Sequence, residues 1–484
     1  MPADAPQVLR PDALAGCLPR PAEPARLQAL GLPTALPPDW RRRLLETLGR
    51  LLAERPGLRR VLDQCRQCGA CAGACPALAG SGDPCHTPQG RAELMGRVYR
   101  AHFSPWSRLR KASWQLPDIL DEDLLNRWQA YFWQCTLCRR CAQFCPHGLD
   151  TALVAQAGRE ILASLGCLPE AAGRNLARLG RCGNTLDLSS RAWADIMAGV
   201  EARLAAAAGA PIPCPVDERR PEVLLIPPAR DLTESQRTLW GYAALFHAAG
   251  VSWTTSSWLG EAGNPGLALG PAAARRVAGR IITAVQELRP RYVLWGEDAQ
   301  GWALVRGLAA QTAAVWAGLE GLKTKRPLHV VQFSHRLWRE GAFAGRLHTE
   351  ANAGLTVTWH DPCHAVRGAG LIAQPRELLA AVAPRRAELP LAVSGRYTRC
   401  CGAGGGLMAE GLAEARLAGA RGRVADLDWA RRQRGATAVA TLCAECQAGL
   451  RLGLKHFGVP LKVMGLHELL GRALLPALAA ADHA

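Results

Sequence analysis

The sequence predicts a multidomain chain: an all-α module wrapped around two cysteine-rich loops, followed by two α/β halves, the first of them free of cysteine. Three observations carry this. The 18 cysteines are unevenly spread: eight sit in two tight groups between Cys65 and Cys145, five lie between Cys363 and Cys446, and none between Cys214 and Cys363. The segments flanking the first eight have helical periodicity. From residue 221 short apolar runs alternate with helical stretches, the pattern of a parallel α/β layer.

At 484 residues, with 49% hydrophobic and 20% charged side chains, the chain has material for about three globular domains and is not disordered in bulk. No run approaches the roughly 18 apolar residues that a bilayer span needs. Met1 to Gly16 shows neither a basic n-region nor an apolar h-region, so a cytoplasmic protein without a secretory signal is expected. The net charge is +17, and only five of the 58 basic residues are Lys. The excess is either a solvated, Arg-biased surface or a docking face for an acidic partner or anionic membrane. No zinc-finger, RNP or basic-helix pattern occurs, so nucleic acid is not an expected partner.

Residues 1–60 form an N-terminal extension, Pro-rich and then helical from Trp40. That helix is amphipathic, either packing on the next domain or lying on a membrane surface. Residues 61–165 hold the first two cysteine groups between helices such as Arg91–Tyr99. Residues 166–220 read as a helical connector. In 221–345, Val223–Ile226, Val251–Thr255 and Arg291–Gly296 are strands, with helices at Trp240–Ala249 and Ala272–Leu288. The alternation restarts at Leu355 and fills 350–484, so the halves are candidates for an internal duplication.

The first group reads Cys65-x2-Cys68-x2-Cys71-x3-Cys75-Pro76 and the second Cys135-x2-Cys138-x2-Cys141-x3-Cys145-Pro146. This is the bacterial ferredoxin run written twice. Three thiolates on a tight loop cap one face of a cubane, and the fourth points away towards the other cluster. The expected sets are therefore Cys65, Cys68, Cys71 and Cys145 on one cubane [4Fe–4S] cluster, and Cys135, Cys138, Cys141 and Cys75 on another. Zinc pairs usually space their cysteines differently. Arg139 and Arg140, inside the second loop, either raise its potential or are merely solvated.

The third group is Cys363, then Cys400-Cys401-Gly402, then Cys443-x2-Cys446. Cys363 and Cys443 each follow a predicted strand, and loops at the carboxyl ends of parallel strands converge at one edge. The loop Gly402-Ala403-Gly404-Gly405-Gly406 offers backbone N–H groups to sulfur, with Gly402 and Gly404 as cofactor contacts. Leu407 breaks any dinucleotide fingerprint. Five thiols exceed the four that a zinc ion or a cubane needs, and adjacent cysteines suit two irons or a bridging role. A zinc site with a spare thiol and an ordinary cubane remain the alternatives. His360 and His364 flank Cys363; His364 is a candidate proton donor for a leaving thiolate. Asp361-Pro362 reads as turn chemistry. Cys17, Cys85, Cys167, Cys182 and Cys214 have no group to join and read as buried or incidental thiols.

The third pattern resembles the CCG domain of heterodisulfide reductases, and its join to a double ferredoxin module resembles the HdrD group. Gly80-Ser-Gly-Asp-Pro, Arg91-Ala-Glu-Leu-Met-Gly-Arg-Val-Tyr-Arg, Tyr131-Phe-Trp-Gln-Cys-Thr-Leu-Cys-Arg-Arg-Cys, His147-Gly-Leu-Asp-Thr and Gly465-Leu-His-Glu-Leu resemble the DsrK family of subunits in DsrMKJOP membrane complexes. The resemblance implies a non-cubane [4Fe–4S] cluster on Cys363, Cys400, Cys401, Cys443 and Cys446, where electrons relayed by the two cubanes reduce, or reversibly oxidise, a disulfide or trisulfide of a DsrC-type sulfur carrier protein. It also implies an integral-membrane cytochrome b or quinone-interacting subunit of DsrM type, other DsrMKJOP-like subunits, and a place on the inner face of the cytoplasmic membrane. The chain departs from the pattern at Asp298, where a cysteine is expected, so 221–345 reads as a degenerate CCG-like half. Iron–sulfur subunits of glycolate oxidase or anaerobic glycerol-3-phosphate dehydrogenase type join the same modules, and there the chain only wires a flavin subunit to quinone.

Overall fold

The computed structural model describes residues 31–104, 119–258, 271–311, 327–406 and 413–480, with Gln28 and Ala262. Cys17 and Leu407 lie outside the described residues. The chain divides into two compact units. The first comprises 1–177, 265–274 and 399–422, and the second 178–264, 275–398 and 423–484. One boundary between the units falls within 166–220, after residue 177.

The first unit is helical. Helix α1 (Trp40–Glu54) buries Trp40, Leu44, Leu48, Leu51 and Leu52, one apolar stripe at helical spacing. These residues share a core with α2 (Pro56–Gln64), α3 (Pro88–His102), α4 (Glu122–Trp133) and α5 (Ala152–Ser164). The stripe is therefore covered by protein and is not presented to a membrane, and the N-terminal helix is part of the ferredoxin-type module. Buried Glu160 on α5 locks α1 in place by accepting from Arg50 Nη2 at 3.1 Å and from Arg55. Gly158 allows α4 and α5 to touch: a Cβ there would meet the Phe132 ring at 2.1 Å.

The second unit carries two small parallel sheets among helices. Strands β1 (Val223–Ile226), β2 (Trp253–Thr254), β3 (Tyr292–Trp295) and β4 (Leu328–His329) form a sheet in the order β2-β1-β3-β4. Strands β5 (Val357–Trp359), β6 (Ala438–Thr441) and β7 (Lys462–Gly465) form the other, in the order β5-β6-β7. Most strand positions are buried, as expected of sheets covered on both faces. The two sheets differ in strand number and order. Helix α6 (Gln236–Ala249) crosses α7 (Leu466–Leu474) at a pair of glycines. A Cβ on Gly241 would meet the His467 carbonyl oxygen at 1.8 Å, and one on Gly471 would meet Gly241 Cα at 2.7 Å. Among the described residues no helix is long and apolar enough to cross a membrane.

This crossing has a direct test. Gly241→Ala forces backbone apart and is expected to cost about 2 kcal/mol or more, lowering the denaturation midpoint. Gly279→Ala, in helix Pro271–Leu288 with nothing within 4 Å of its Cβ position, is expected to raise it by about 0.5–1 kcal/mol. Equal effects would contradict the packing described.

Candidate metal centres

The two ferredoxin-type loops are conformational copies. Gln67 and Leu137, each just before a loop's second cysteine, have φ of 53°. Gly69 and Arg139, just after it, have φ of 81° and 58°. Left-handed backbone at non-glycine residues is costly and is kept where the surroundings demand it. Here it turns successive thiols to one side of the loop. Leu137 N–H donates to Cys135 Sγ at 3.4 Å.

The fourth cysteine of each run crosses over. Cys75 lines one partly open cleft with Cys135, Cys138 and Cys141. Cys71 in turn lies close enough to Cys65 and Cys145 to feel both charges, and burial first, then those neighbours, pushes its thiol up to about 11. Cys68 is exposed, whereas the four thiols of the cleft are buried or half-buried. Every described cysteine is a free thiol.

The residues fit an anionic inorganic group. Four thiols converge on the cleft, and the Arg91 guanidinium lines it with Nη1 3.8 Å from Cys75 Sγ. Its Nη2 is buried without a hydrogen-bond partner, which is costly unless an acceptor sits in the cleft. The cations of the second loop have other bonds as well. Arg139 pairs with Asp150 Oδ2 at 3.0 Å, while Arg140 Nη1 donates to the Ala74 carbonyl at 3.3 Å and stacks on Phe144. Arg91 and Arg159, on neighbouring helices and not singled out by the sequence, are the buried guanidiniums nearby.

The loop from Cys400 to Gly406 belongs to the same unit. Gly402 has φ of 83°, and a Cβ on it would meet the Arg416 carbonyl at 2.2 Å, so no other residue fits. Its N–H donates to Cys400 Sγ at 3.3 Å. Gly405 presses on the second ferredoxin loop, where a Cβ would meet the Cys135 carbonyl at 2.7 Å. Arg159 joins the two loops, donating Nη1 to the Gly405 carbonyl at 2.6 Å and Nη2 to the Cys135 carbonyl.

Cys363, Cys443 and Cys446 lie in the second unit, all buried. Strands β5 and β6 are parallel neighbours, Trp359 beside Ala440, and His360 N–H extends the ladder to the Ala440 carbonyl at 2.9 Å. Their carboxyl ends therefore deliver the Cys363 and Cys443 segments to one sheet edge. Cys443 is the N-cap of α8 (Ala444–His456), and Cys446 follows within its first turn. A helix N-terminus favours thiolate. Cys363 caps a single π-helical turn, His364–Gly368, and His364 is buried. A His360 ring nitrogen lies within 4.8 Å of Cys446 Sγ. Both ring nitrogens are buried without a hydrogen-bond partner, a second sign of a group to be accommodated.

Asp361 is more than a turn residue. Almost fully buried, it accepts from Arg376 Nη2 at 2.7 Å, Trp359 Nε1 at 3.0 Å and Gly395 N–H at 2.7 Å. It thereby pins the segment carrying Cys363. The unassigned thiols look different: burial pushes Cys167 up to about 11 and, with Glu201 nearby, Cys214 up to about 12. Cys182 Sγ donates to Asp187 Oδ1 at 3.2 Å, and Cys85 is half-buried against the helical core.

Two family models match the chain, the 4Fe-4S dicluster domain over residues 61–149 and the Cysteine-rich domain over 357–451. Over 472 residues the chain is 28% identical to the "Hdr-like menaquinol oxidoreductase iron-sulfur subunit 2" of Archaeoglobus fulgidus, covering 91% of this chain and 84% of that one. It is 22% identical to a subunit of the dihydromethanophenazine:CoB–CoM heterodisulfide reductase of Methanosarcina barkeri, covering 85% of this chain and 94% of the relative. A local match, 32% identical over 126 residues, links it to a subunit of the fumarate reductase (CoM/CoB) of Methanothermobacter marburgensis, covering 25% of this chain and 23% of that one. The chain is thus heterodisulfide reductase-like over most of its length and carries an iron–sulfur domain of the 4Fe-4S dicluster type.

Replacing Asp361 with Ala leaves the Trp359 and Gly395 donors and Arg376 without their buried acceptor, a change expected to cost about 1–3 kcal/mol, whereas Asp361→Asn keeps part of the bonding. Denaturation midpoints of the two variants check this. An Asp361→Ala midpoint equal to that of the parent would show that the contact holds nothing.

Proposed function

We propose that this chain is the iron–sulfur subunit of a heterodisulfide reductase-like oxidoreductase, of DsrK type, that exchanges electrons with the disulfide or trisulfide of a DsrC-type carrier protein. The observation that carries the reading is the contact between the Cys135 loop and the Cys400–Gly406 loop, clamped by Arg159. In this reading the conducting site and the sulfur-handling loop then lie back to back. The likeness to relatives named as menaquinol oxidoreductase and heterodisulfide reductase subunits supports it.

In this reading Cys65, Cys68, Cys71 and Cys145 hold one cubane [4Fe–4S] cluster, and Cys75, Cys135, Cys138 and Cys141 the other. Cys363, Cys400, Cys401, Cys443 and Cys446 hold a non-cubane [4Fe–4S] cluster. The bound centres supply one-electron transfer and a place where sulfur is held between two such steps. The balance is one disulfide, two electrons and two protons giving two thiols. The chain's own residues set the stage for it. Gly402 N–H lowers the charge on Cys400, the α8 N-terminus favours the Cys443 thiolate, and Asp361 with Arg376 fixes the Cys363 segment. His364 gives a proton to the departing thiolate. The degenerate half, 221–345, acts as scaffold. An integral-membrane cytochrome b of DsrM type, with other DsrMKJOP-like subunits, exchanges electrons with quinone, the chain sitting on the inner face of the cytoplasmic membrane.

The anaerobically purified chain is expected to hold about twelve irons, and Cys400→Ala with Cys401→Ala to remove one EPR signal and leave two. With reduced viologen as donor, the carrier's disulfide is expected to be reduced. A colourless, zinc-loaded chain would sink the whole reading. All centres reducible without turnover would leave a pure electron-transfer subunit instead.

A further inference from the structure

Arg91 and Arg159 carry buried guanidiniums inside the first unit. Arg91 is 2% exposed and Arg159 is 0% exposed. Among the described residues neither forms an ion pair with a carboxylate: Arg91 Nε donates to the Tyr131 carbonyl at 2.7 Å, and Arg159 Nε to the Phe132 carbonyl at 2.9 Å. They are close enough to repel each other. A guanidinium keeps its charge at neutral pH. Two uncompensated like charges in a dry interior are unfavourable unless an anion lies between them. The thiols nearest to both are those of the inner cleft. Arg91 reaches Cys75, and Arg159 reaches the Cys135 carbonyl. The outer set is treated differently: among the described residues no guanidinium bonds to the Cys65, Cys68, Cys71 or Cys145 thiols, and Cys71 meets Gln89 Oε1 at 3.6 Å.

We infer that Arg91 and Arg159 set a potential step within the relay, making the centre of Cys75, Cys135, Cys138 and Cys141 easier to reduce than that of Cys65, Cys68, Cys71 and Cys145. This rests on the reading that both sets hold iron–sulfur clusters. Each centre takes up one electron, and the reduced form carries one more negative charge. Fixed cations in a low-dielectric site stabilise that form. Water near exposed Cys68 acts in the same sense on the outer centre, but in a screened medium, so the buried charges win. An electron entering at the outer, exposed centre therefore comes to rest beside the Cys400–Gly406 loop. Arg91 and Arg159 are positioning residues here; neither touches the sulfur substrate.

The test is an anaerobic redox titration of the full, cluster-loaded chain followed by EPR. Signals are assigned by Cys138→Ser for the inner centre and Cys68→Ser for the outer. In the parent protein the inner signal is expected to appear first on reduction. Arg91→Gln and Arg159→Gln are each expected to make the inner centre at least tenfold harder to reduce, a 59 mV drop for one electron, with the outer centre unmoved. Arg91→Lys should restore most of the shift. If the glutamine variants lose their clusters, the parent's order of reduction and the lysine variant still decide. An outer centre that reduces first, or an unmoved inner potential in iron-replete variants, overturns the inference alone. A parent chain without iron in the ferredoxin-type loops overturns the reading beneath it as well.

Discussion

Burying sulfur-borne negative charge is the constraint on which this structure turns. Thiolates gathered in an interior lose their hydration, and each unpaired ion there costs several kcal/mol. The chain answers with groups that no surface argument would predict: two buried guanidiniums, Arg91 and Arg159, backbone N–H donors from Leu137 and Gly402 to sulfur, and a helix N-terminus at Cys443. The left-handed backbone at Gln67, Leu137 and Arg139 is the conformational counterpart, tolerated because it turns thiols towards a common point.

Much of this was legible in the sequence where spacing alone carries geometry. Two ferredoxin-type runs predict two loops whose last cysteines exchange, and the structure brings Cys75 to Cys135, Cys138 and Cys141. Apolar runs before Cys363 and Cys443 predict strands, and β5 and β6 end there side by side. What stayed hidden depends on tertiary neighbours. Arg91 sits in a segment whose helical pattern was plain, but nothing local says that its guanidinium turns inward. Arg159 lies far in sequence from Gly405, which it binds. Asp361-Pro362 carries a turn signature, yet partners at Trp359, Arg376 and Gly395 make the carboxylate a buried anchor. The helix from Trp40 had two possible covers for its apolar stripe, and only the assembled core distinguishes them.

The cysteine-free sheet also shapes the thiol-bearing one. The Glu297 carbonyl accepts from Ala444 N–H at 2.7 Å, at the start of the helix that carries Cys446. Its side chain bonds His467 Nδ1 at 2.7 Å, and His467 Nε2 meets Ser334 Oγ at 2.7 Å. Burial holds His467 down to about 3 and pushes Glu297 well above the usual carboxylate range, so it favours the uncharged form of each. The cysteine-free sheet thus has a mechanical task, bracing the start of α8.

The exchange of the fourth cysteines is the claim on which the centres stand, and it is open to direct measurement. EPR spectra of the cluster-loaded Cys75→Ser and Cys145→Ser variants should change crosswise. Cys75→Ser should alter the signal that Cys135→Ser alters, and Cys145→Ser the signal that Cys65→Ser alters. If Cys75→Ser instead perturbs the same signal as Cys65→Ser, each loop holds its own four thiolates and the account is wrong at its root.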